Sequence, residues 1–362
     1  MDTATQQTVS RDTLLQSLKR VTFFWLLVLG LVLGLAIAVV TAVAVGSVTI
    51  SFATVVRIMI EQLHPGSIIP TWTPTEAQIV WDFRLPRALL GVIVGAALAV
   101  SGATLQAMVR NPLADPYIFG VSSGASVGAV AVLTLGTAFV GGLSLSLAAF
   151  VGALIAMAIV YLMAQQQGRT TPMRLVLAGV ALNYVLSAVT SYLVLRASGP
   201  NQGVTAVLTW LAGSLGSAEW ANLGLPGFVV FTVTGVLLLQ ARALNALLAG
   251  EETATGLGID VERFRIWLFM LTSLLVGVVV AISGAIGFVG LMIPHIVRMI
   301  VGADHRRVLP IAALLGSIYL VLVDLIARTI IAPQELPVGM VTAIFGGPFF
   351  LWLLRHRMGN TR

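Results

Sequence analysis

Few residues in this chain could do chemistry, and they stand at particular places. The segment Asp82-Phe83-Arg84-Leu85-Pro86-Arg87 puts two guanidinium groups three positions apart at the edge of a long uncharged stretch, and Arg328 closes another. Paired arginines can orient an incoming carboxylate as well as attract it, so these three suit the acidic side chains of an external protein. They equally suit anchors whose charges snorkel to lipid headgroups. A second polar cluster begins at Glu251 and Glu252, inside the leucine-containing segment 244–260. It reads as two short helices joined near a glycine hinge. Its leucines make it too apolar for a solvated connector, and together with its acids they describe a docking surface for a cytoplasmic partner. Asp324 stands four residues before Arg328, so the two can neutralise each other across one helical turn. His295 follows Pro294 and reads as a structural or interfacial histidine.

What is missing narrows the chemistry. The only lysine is Lys19, with no glycine loop before it, so the chain has no P-loop of its own. The aspartates at 2, 12, 82, 115, 260, 304 and 324 are isolated, and no His-Glu-x-x-His helix is present, which argues against a membrane prenyltransferase or protease. There is no cysteine, hence no disulfide, thiolate metal site or cysteine nucleophile. A proton- or sodium-coupled carrier usually places several ionisable groups at mid-membrane, and here Asp324 is the single candidate. We expect no catalytic residue, no metal ligand and no cofactor bound by this chain.

The elements that carry these residues must be membrane helices. Of 362 residues 58% are hydrophobic and 9% charged, at a mean hydropathy of +1.01, which is too little polar surface for a water-soluble domain of this size. The net charge of +6 is scattered singly and reads as membrane orientation, not nucleic-acid binding. Uncharged stretches run over 21–56, 88–109, 116–168, 175–195, 221–241, 266–297, 308–323 and 336–354. About 20 residues cross a bilayer. Stretch 116–168 must therefore fold back, most naturally at Gly136, Gly141 and Gly142, and stretch 266–297 at Ser283-Gly284-Ala285-Ile286-Gly287. The total is about ten spans with both termini on one side.

With Met1 inside, the cytoplasmic loops hold Arg11, Lys19, Arg20, Arg110, Arg169, Arg174, Arg242, Arg263, Arg265, Arg298, Arg306, Arg307, Arg355, Arg357 and Arg362. The outer loops hold only Arg57, Arg84, Arg87, Arg196 and Arg328, and this bias sets the direction. The expected organisation is a cytoplasmic N-terminal segment over 1–20, one transmembrane domain over 21–356 and a cytoplasmic tail over 357–362. An internal repeat is also visible. Val94-Gly95, Ala99-Val100-Ser101-Gly102-Ala103 and Pro112 recur 182 residues later as Val276-Gly277, Ala281-Ile282-Ser283-Gly284-Ala285 and Pro294. The two copies would run in opposite directions, the inverted arrangement of transporter folds. Chance recurrence of small helix-packing words is the alternative.

A more specific likeness rests on several motifs together. Arg84-Leu85-Pro86-Arg87, Gly95-Ala96-Ala97-Leu98-Ala99-Val100-Ser101-Gly102-Ala103, Gln106, Asn111-Pro112-Leu113-Ala114-Asp115-Pro116 and Gly120-Val121-Ser122-Ser123-Gly124-Ala125 form the first group. Gly250-Glu251-Glu252, Leu257-Gly258, Gly284-Ala285-Ile286-Gly287-Phe288-Val289-Gly290-Leu291 and Ile293-Pro294-His295 continue it. Glu335-Leu336-Pro337-Val338-Gly339 and Phe345-Gly346-Gly347-Pro348 complete it. The chain resembles the FecCD-type permeases of bacterial ABC importers, of the type II class.

The resemblance implies an all-α integral membrane fold, about ten transmembrane helices per subunit, an inverted repeat and a dimeric permease in the cytoplasmic membrane. It implies import of an iron(III)-siderophore, with haem or cobalamin as alternatives within the same family; a proton-coupled carrier is a distant alternative outside it. The implied partners are a second permease subunit, two cytoplasmic ATPases that bind ATP and Mg, an external substrate-binding protein, and membrane lipid. By the same likeness Arg84, Arg87 and Arg328 meet acidic residues of the binding protein. Glu251, Glu252, Thr253, Ala254, Thr255, Gly256, Leu257 and Gly258 couple to the ATPases. Asn111, Pro112 and Leu113, with Thr171, Pro172 and Met173, close the cytoplasmic end. Trp210, Leu211, Gly213 and Ser214 belong to a short helix at the outer entrance.

Overall fold

Hydrophobic helices form wherever the chain lacks charge, because in lipid every backbone group must find its partner within the protein. The computed structural model describes residues 3–46, 48–166, 169–196 and 204–359. The helices are α1 (Thr3–Ala44), α2 (Phe52–Leu63), α3 (Pro74–Gln78), α4 (Leu85–Val109), α5 (Val121–Leu135), α6 (Leu145–Ala164), α7 (Pro172–Arg196) and α8 (Val204–Ala212). They continue as α9 (Trp220–Leu239), α10 (Ala241–Ala249), α11 (Glu251–Gly256), α12 (Val261–Ser283), α13 (Val289–Val301), α14 (His305–Thr329) and α15 (Val338–Gly359). A two-stranded hairpin, β1 (Gln165–Gln166) with β2 (Arg169–Thr170), precedes α7.

Among the described residues seven helices are long and apolar enough to cross a membrane, and α5, α13 and Val338–Leu353 of α15 are shorter apolar helices. Together they number ten, in keeping with the count of about ten spans. The bundle is built around one of them. In an apolar 18-residue stretch of each, 78% of the residues of Pro74–Val109 and only 17% of those of Val21–Ala44 are buried, so the second crossing is the core and the first lies at the periphery.

The expected breaks fall where glycine permits them. Gly136, Gly141 and Gly142 all have positive φ in the turn between α5 and α6, after which Ser144 caps α6 by accepting the Leu147 N–H. Helix α12 ends at Ser283, and α13, at 13 residues, spans about 20 Å, well short of the hydrocarbon thickness. The intervening backbone is therefore satisfied by protein. Ser214 N donates to Ser283 O (2.8 Å), and the Tyr117 hydroxyl donates to Ile286 O (2.9 Å) while accepting from Ile286 N (3.0 Å).

Stretch 21–56 is not one helix: α1 stops at Ala44 and the amphipathic α2 starts anew, capped by Ser51, whose Oγ accepts the Thr54 N–H. Two boundaries differ from the charge-based reading. The N-terminal segment is continuous with the first crossing, since α1 already begins at Thr3; residues 1–2, and 360–362 of the expected tail, lie outside the described residues. The second crossing begins at Pro74, eleven residues before α4, through a π-helical turn over Ile79–Arg84. Arg84 and Arg87 thus lie inside a continuous helix, not on a loop beside it. The repeat words up to Ala103 and Ser283 lie on the second and seventh crossings, which run in opposite directions in a chain that crosses with every span; Pro112 follows the second and Pro294 lies in the eighth. The first word is continuous helix in α4, whereas the second is broken at Gly284.

Small residues set the tightest contacts, as expected where lipid offers no hydrophobic drive between helices. Backbones of α4 and α14 meet at Gly95 and Gly316, where a Cβ on Gly95 would collide with the Gly316 carbonyl. Replacing Gly95 by Val is expected to cost at least about 1–3 kcal/mol of packing and to lower the thermal midpoint in detergent. Gly30→Ala on the lipid-side helix α1, where no neighbour lies within 4 Å, should leave that midpoint unchanged.

Candidate functional site

The polar residues collect at the two ends of the bundle, with a cavity near one of them. At the first end, the final carbonyls of α1 have no partner within their own helix. Arg84 supplies one: its Nη1 donates to Val43 O (2.9 Å) and Ala44 O (3.0 Å), and its Nη2 to Val48 O (2.5 Å). Arg328 Nη2 donates to Ala42 O (2.8 Å). Two cations therefore sit at the negative end of the first helix, where the macrodipole favours them. Gly46 leaves the room, since a Cβ there would stand 2.5 Å from Arg84 Nη2.

Asp324 joins the remaining guanidinium groups. It accepts from Arg87 Nε (3.0 Å to Oδ1, 3.1 Å to Oδ2) and forms an ion pair with Arg328 (Nε to Oδ2, 3.1 Å), and Arg87 also reaches Glu335 at 2.8 Å. The expected Asp324–Arg328 pair is present, but α4 shares it through Arg87. Arg84 and Arg328 are only 8% and 7% exposed, so neither snorkels to the surface. The three arginines nevertheless line one cavity of about 360 Å³, together with Glu335 and Gly216. Three cations and two anions leave this cluster with one net positive charge.

Beside it lies a larger cavity, of about 630 Å³, which also includes Gly216. Trp210 and Ser214 line it, with Thr205, Thr209, Ser217, Asn222 and Ser283. Leu211 and Gly213 do not: Gly213, at φ 77°, turns the chain out of α8 against the Ala285 carbonyl. The wall presents hydroxyl, amide and indole groups. Motif reading passed over Thr205 and Asn222, because isolated polar residues in apolar segments carry no spacing signal.

At the opposite end α10 and α11 form the two short helices expected, hinged at Gly250 with φ 136°. Glu251 and Glu252 occupy the exposed first turn of α11. Thr253, Thr255, Gly256, Leu257 and Gly258 are exposed as well, while Ala254 is buried. Leu257, 68% exposed, gives this face an apolar tip. Asn245 fixes α10 to the start of α14. Its Nδ2 donates to Asp304 Oδ1 (2.6 Å), and its Oδ1 accepts from His305 N (2.8 Å). Partial burial pushes the Asp304 carboxyl up, but the Asn245 amide, the Arg306 N–H and the charges of Arg306 and Arg307 together hold it below the usual carboxylate range.

Both expected gate segments adjoin this face. Arg110, left-handed at φ 52°, ends α4, and its Nη1 lies 3.8 Å from where a Gly250 Cβ would be. Asn111 Oδ1 then accepts from Leu113 N (2.9 Å), which folds Asn111, Pro112 and Leu113 into a tight turn. Gln106 holds that turn to α13, donating to Ala114 O and Gly290 O (both 3.2 Å) while accepting from Arg298. On the other side Thr171 caps α7, accepting weakly from Arg174 N (3.4 Å), Pro172 takes the first helical position, and Met173 is 65% exposed. Thr170 just before it is gripped by α12: Glu262 accepts its N–H (3.2 Å) and Arg265 Nη1 donates to its carbonyl (3.1 Å). Arg265 Nη2 also meets Glu251 Oε1 (2.6 Å). Charge counting had used Arg265 only for orientation.

Comparison with known proteins gives this arrangement its context. The profile of the FecCD transport family matches residues 34–356. The chain belongs to this family. A cobalamin import system permease of Halobacterium salinarum is 48% identical over 78% of this chain and 75% of its own length. An Fe(3+)-citrate import system permease of Bacillus subtilis is 44% identical over 78% of this chain and 84% of its own length. A solved ABC transporter assigned to the metal-chelate type, in an inward-facing conformation, superposes with a TM-score of 0.78 at 32% identity, covering 91% of this chain and 98% of the other. This FecCD chain is accordingly a multi-pass membrane permease of the ABC importer kind, a family whose permease subunits lack an ATPase site.

The arginine cluster of the FecCD chain makes a direct prediction. Asp324→Ala leaves Arg87 and Arg328 buried without their shared carboxylate, which should cost about 3–5 kcal/mol and appear as a large drop in thermal midpoint. Glu335→Gln, at a half-exposed position, should cost under about 1 kcal/mol in the same assay.

Proposed function

We propose that this chain forms the membrane pathway of an ATP-driven importer that carries a metal chelate inward, with an iron(III)-siderophore as cargo. The observation that carries this reading is the uncharged, hydroxyl-lined cavity beside α8. At about 630 Å³ it has the volume of a site for a sizeable organic ligand. Its Ser, Thr, Asn and Trp groups can hydrogen-bond the periphery of a chelate whose metal is already caged. Cobalamin is the second reading, supported by the 48% identical relative named for it, and haem is the third.

In this reading both termini are cytoplasmic, and the α10–α11 face meets two cytoplasmic ATPases, which bind ATP and Mg. A second permease subunit completes the pathway. ATP binding moves the short helices, the bundles rock, and the cavity opens to one side or the other. The arginine cavity receives a binding protein. Its net charge of plus one favours an acidic side chain, which would compete with half-exposed Glu335 for Arg87.

Uptake by proteoliposomes containing permease, ATPases and binding protein tests the reading. Ferric siderophore should accumulate only with internal-facing ATP, and an imposed proton gradient should not substitute for it. Transport by the permease alone under that gradient would overturn the proposal, and uptake of cobalamin or haem in place of the ferric siderophore would move the cargo to the second or third reading. Charge reversal of Glu251 and Glu252 to Lys is expected to lower chelate uptake at least tenfold relative to ATP hydrolysed, measured in the same vesicles.

A further inference from the structure

The sequence shows the ATPase-facing helix and the segment at 171–173 as separate features, 78 residues apart at their nearest named members, Met173 and Glu251. The fold places one side chain between them. Arg265 lies in the second turn of α12 and is 4% exposed. One arm of its guanidinium meets Glu251 Oε1 on the first turn of α11 at 2.6 Å, and the other donates to Thr170 O at 3.1 Å. Thr170 immediately precedes Thr171, and its N–H is held by Glu262 from the same face of α12. A planar, buried guanidinium with charged and carbonyl acceptors on separate nitrogens is a rigid bracket, unlike a lysine, which would present one swivelling ammonium. Glu251 is exposed and stands where a partner would press, whereas Arg265 is shielded from it.

We propose that Arg265 is the positioning residue that ties the movement of the coupling helix α11 to the gate segment Thr171–Met173. The proposal rests on the reading of 251–258 as the ATPase-facing surface. Displacement of Glu251 pulls the guanidinium, which carries the Thr170 carbonyl and so the first turn of α7. The neighbouring Arg263 makes a useful contrast. It is two residues away with the same charge, but its side chain is 88% exposed and pairs with Asp260.

Because the chain has no native cysteine, Met173→Cys can report on the gate alone. In the complete transporter with its ATPases and binding protein, the rate at which a water-soluble maleimide labels M173C is compared with and without a non-hydrolysable ATP analogue, alongside uptake and ATP hydrolysis. R265Q is expected to reduce the nucleotide-dependent change in labelling at least fivefold and to lower uptake in proportion, while the assembled complex continues to hydrolyse ATP. R265K should fall between R265Q and the parent, and R263Q should match the parent. If R265Q does not assemble, Glu251→Ala at its exposed position carries the test with the same expected loss of gate response. A full nucleotide response and full uptake in R265Q, or in E251A where that variant stands in, would overturn the inference alone. A parent that shows no nucleotide response would instead overturn the ATP-driven reading on which it rests.

Discussion

A helix that ends buried among its neighbours leaves carbonyls that its own turns cannot satisfy. In this chain the first crossing stops at Ala44, and the carbonyls of Ala42, Val43 and Ala44 are taken up by Arg328 and Arg84. Much of one end of the molecule follows from that demand. Two buried cations require a buried anion, which is Asp324. The anion is then shared with Arg87, and the overhang of charge reaches Glu335 at the surface. The cavity onto which the arginines open is thus held by the same bonds that finish a helix. Any partner that approaches it meets groups already set in place.

The same demand explains why the unwound backbone after α12 is so well enclosed. Between Gly284, whose N–H still closes on Val280 O, and Phe288, whose carbonyl opens α13, Tyr117 pairs with both backbone groups of Ile286, and Ser214 N takes the Ser283 carbonyl at the end of α12. That enclosure brings the turn after α8 against Ser283 and Ala285, which shapes the wall of the larger cavity. A broken span here is a means of bringing three distant segments to one place.

Much of this was legible in the sequence, for physical reasons that differ from element to element. The crossings could be read because lipid enforces apolar stretches, and the breaks at 136–142 and 283–287 because glycine marks them. The hinge between α10 and α11 was visible at Gly250, with acids following it. The start of the second crossing was misplaced because Asp82 and Arg84 look like the end of a span. Their helix continues only because carbonyls some forty residues earlier receive the arginine. Long-range brackets were invisible for the same reason. Gln106 with Arg298, Asn245 with His305, and Arg265 with Thr170 join residues whose types are ordinary and whose separations have no period. Charge counting placed Arg265 on the correct side and gave no hint of what it holds.

The grip on Thr170 has a consequence for how such a chain can drift. Arg265 and Glu262 hold the carbonyl and the amide of that residue, and its hydroxyl makes no hydrogen bond. Every amino acid except proline brings those two backbone groups, so position 170 is free to exchange its side chain for another of similar size without loosening the joint. Position 265 has no such latitude, since arginine alone offers two well-separated donors in one plane at the end of a long, permanently charged side chain. The mechanical information is therefore stored on one side of the contact, and a lineage can rewrite the other.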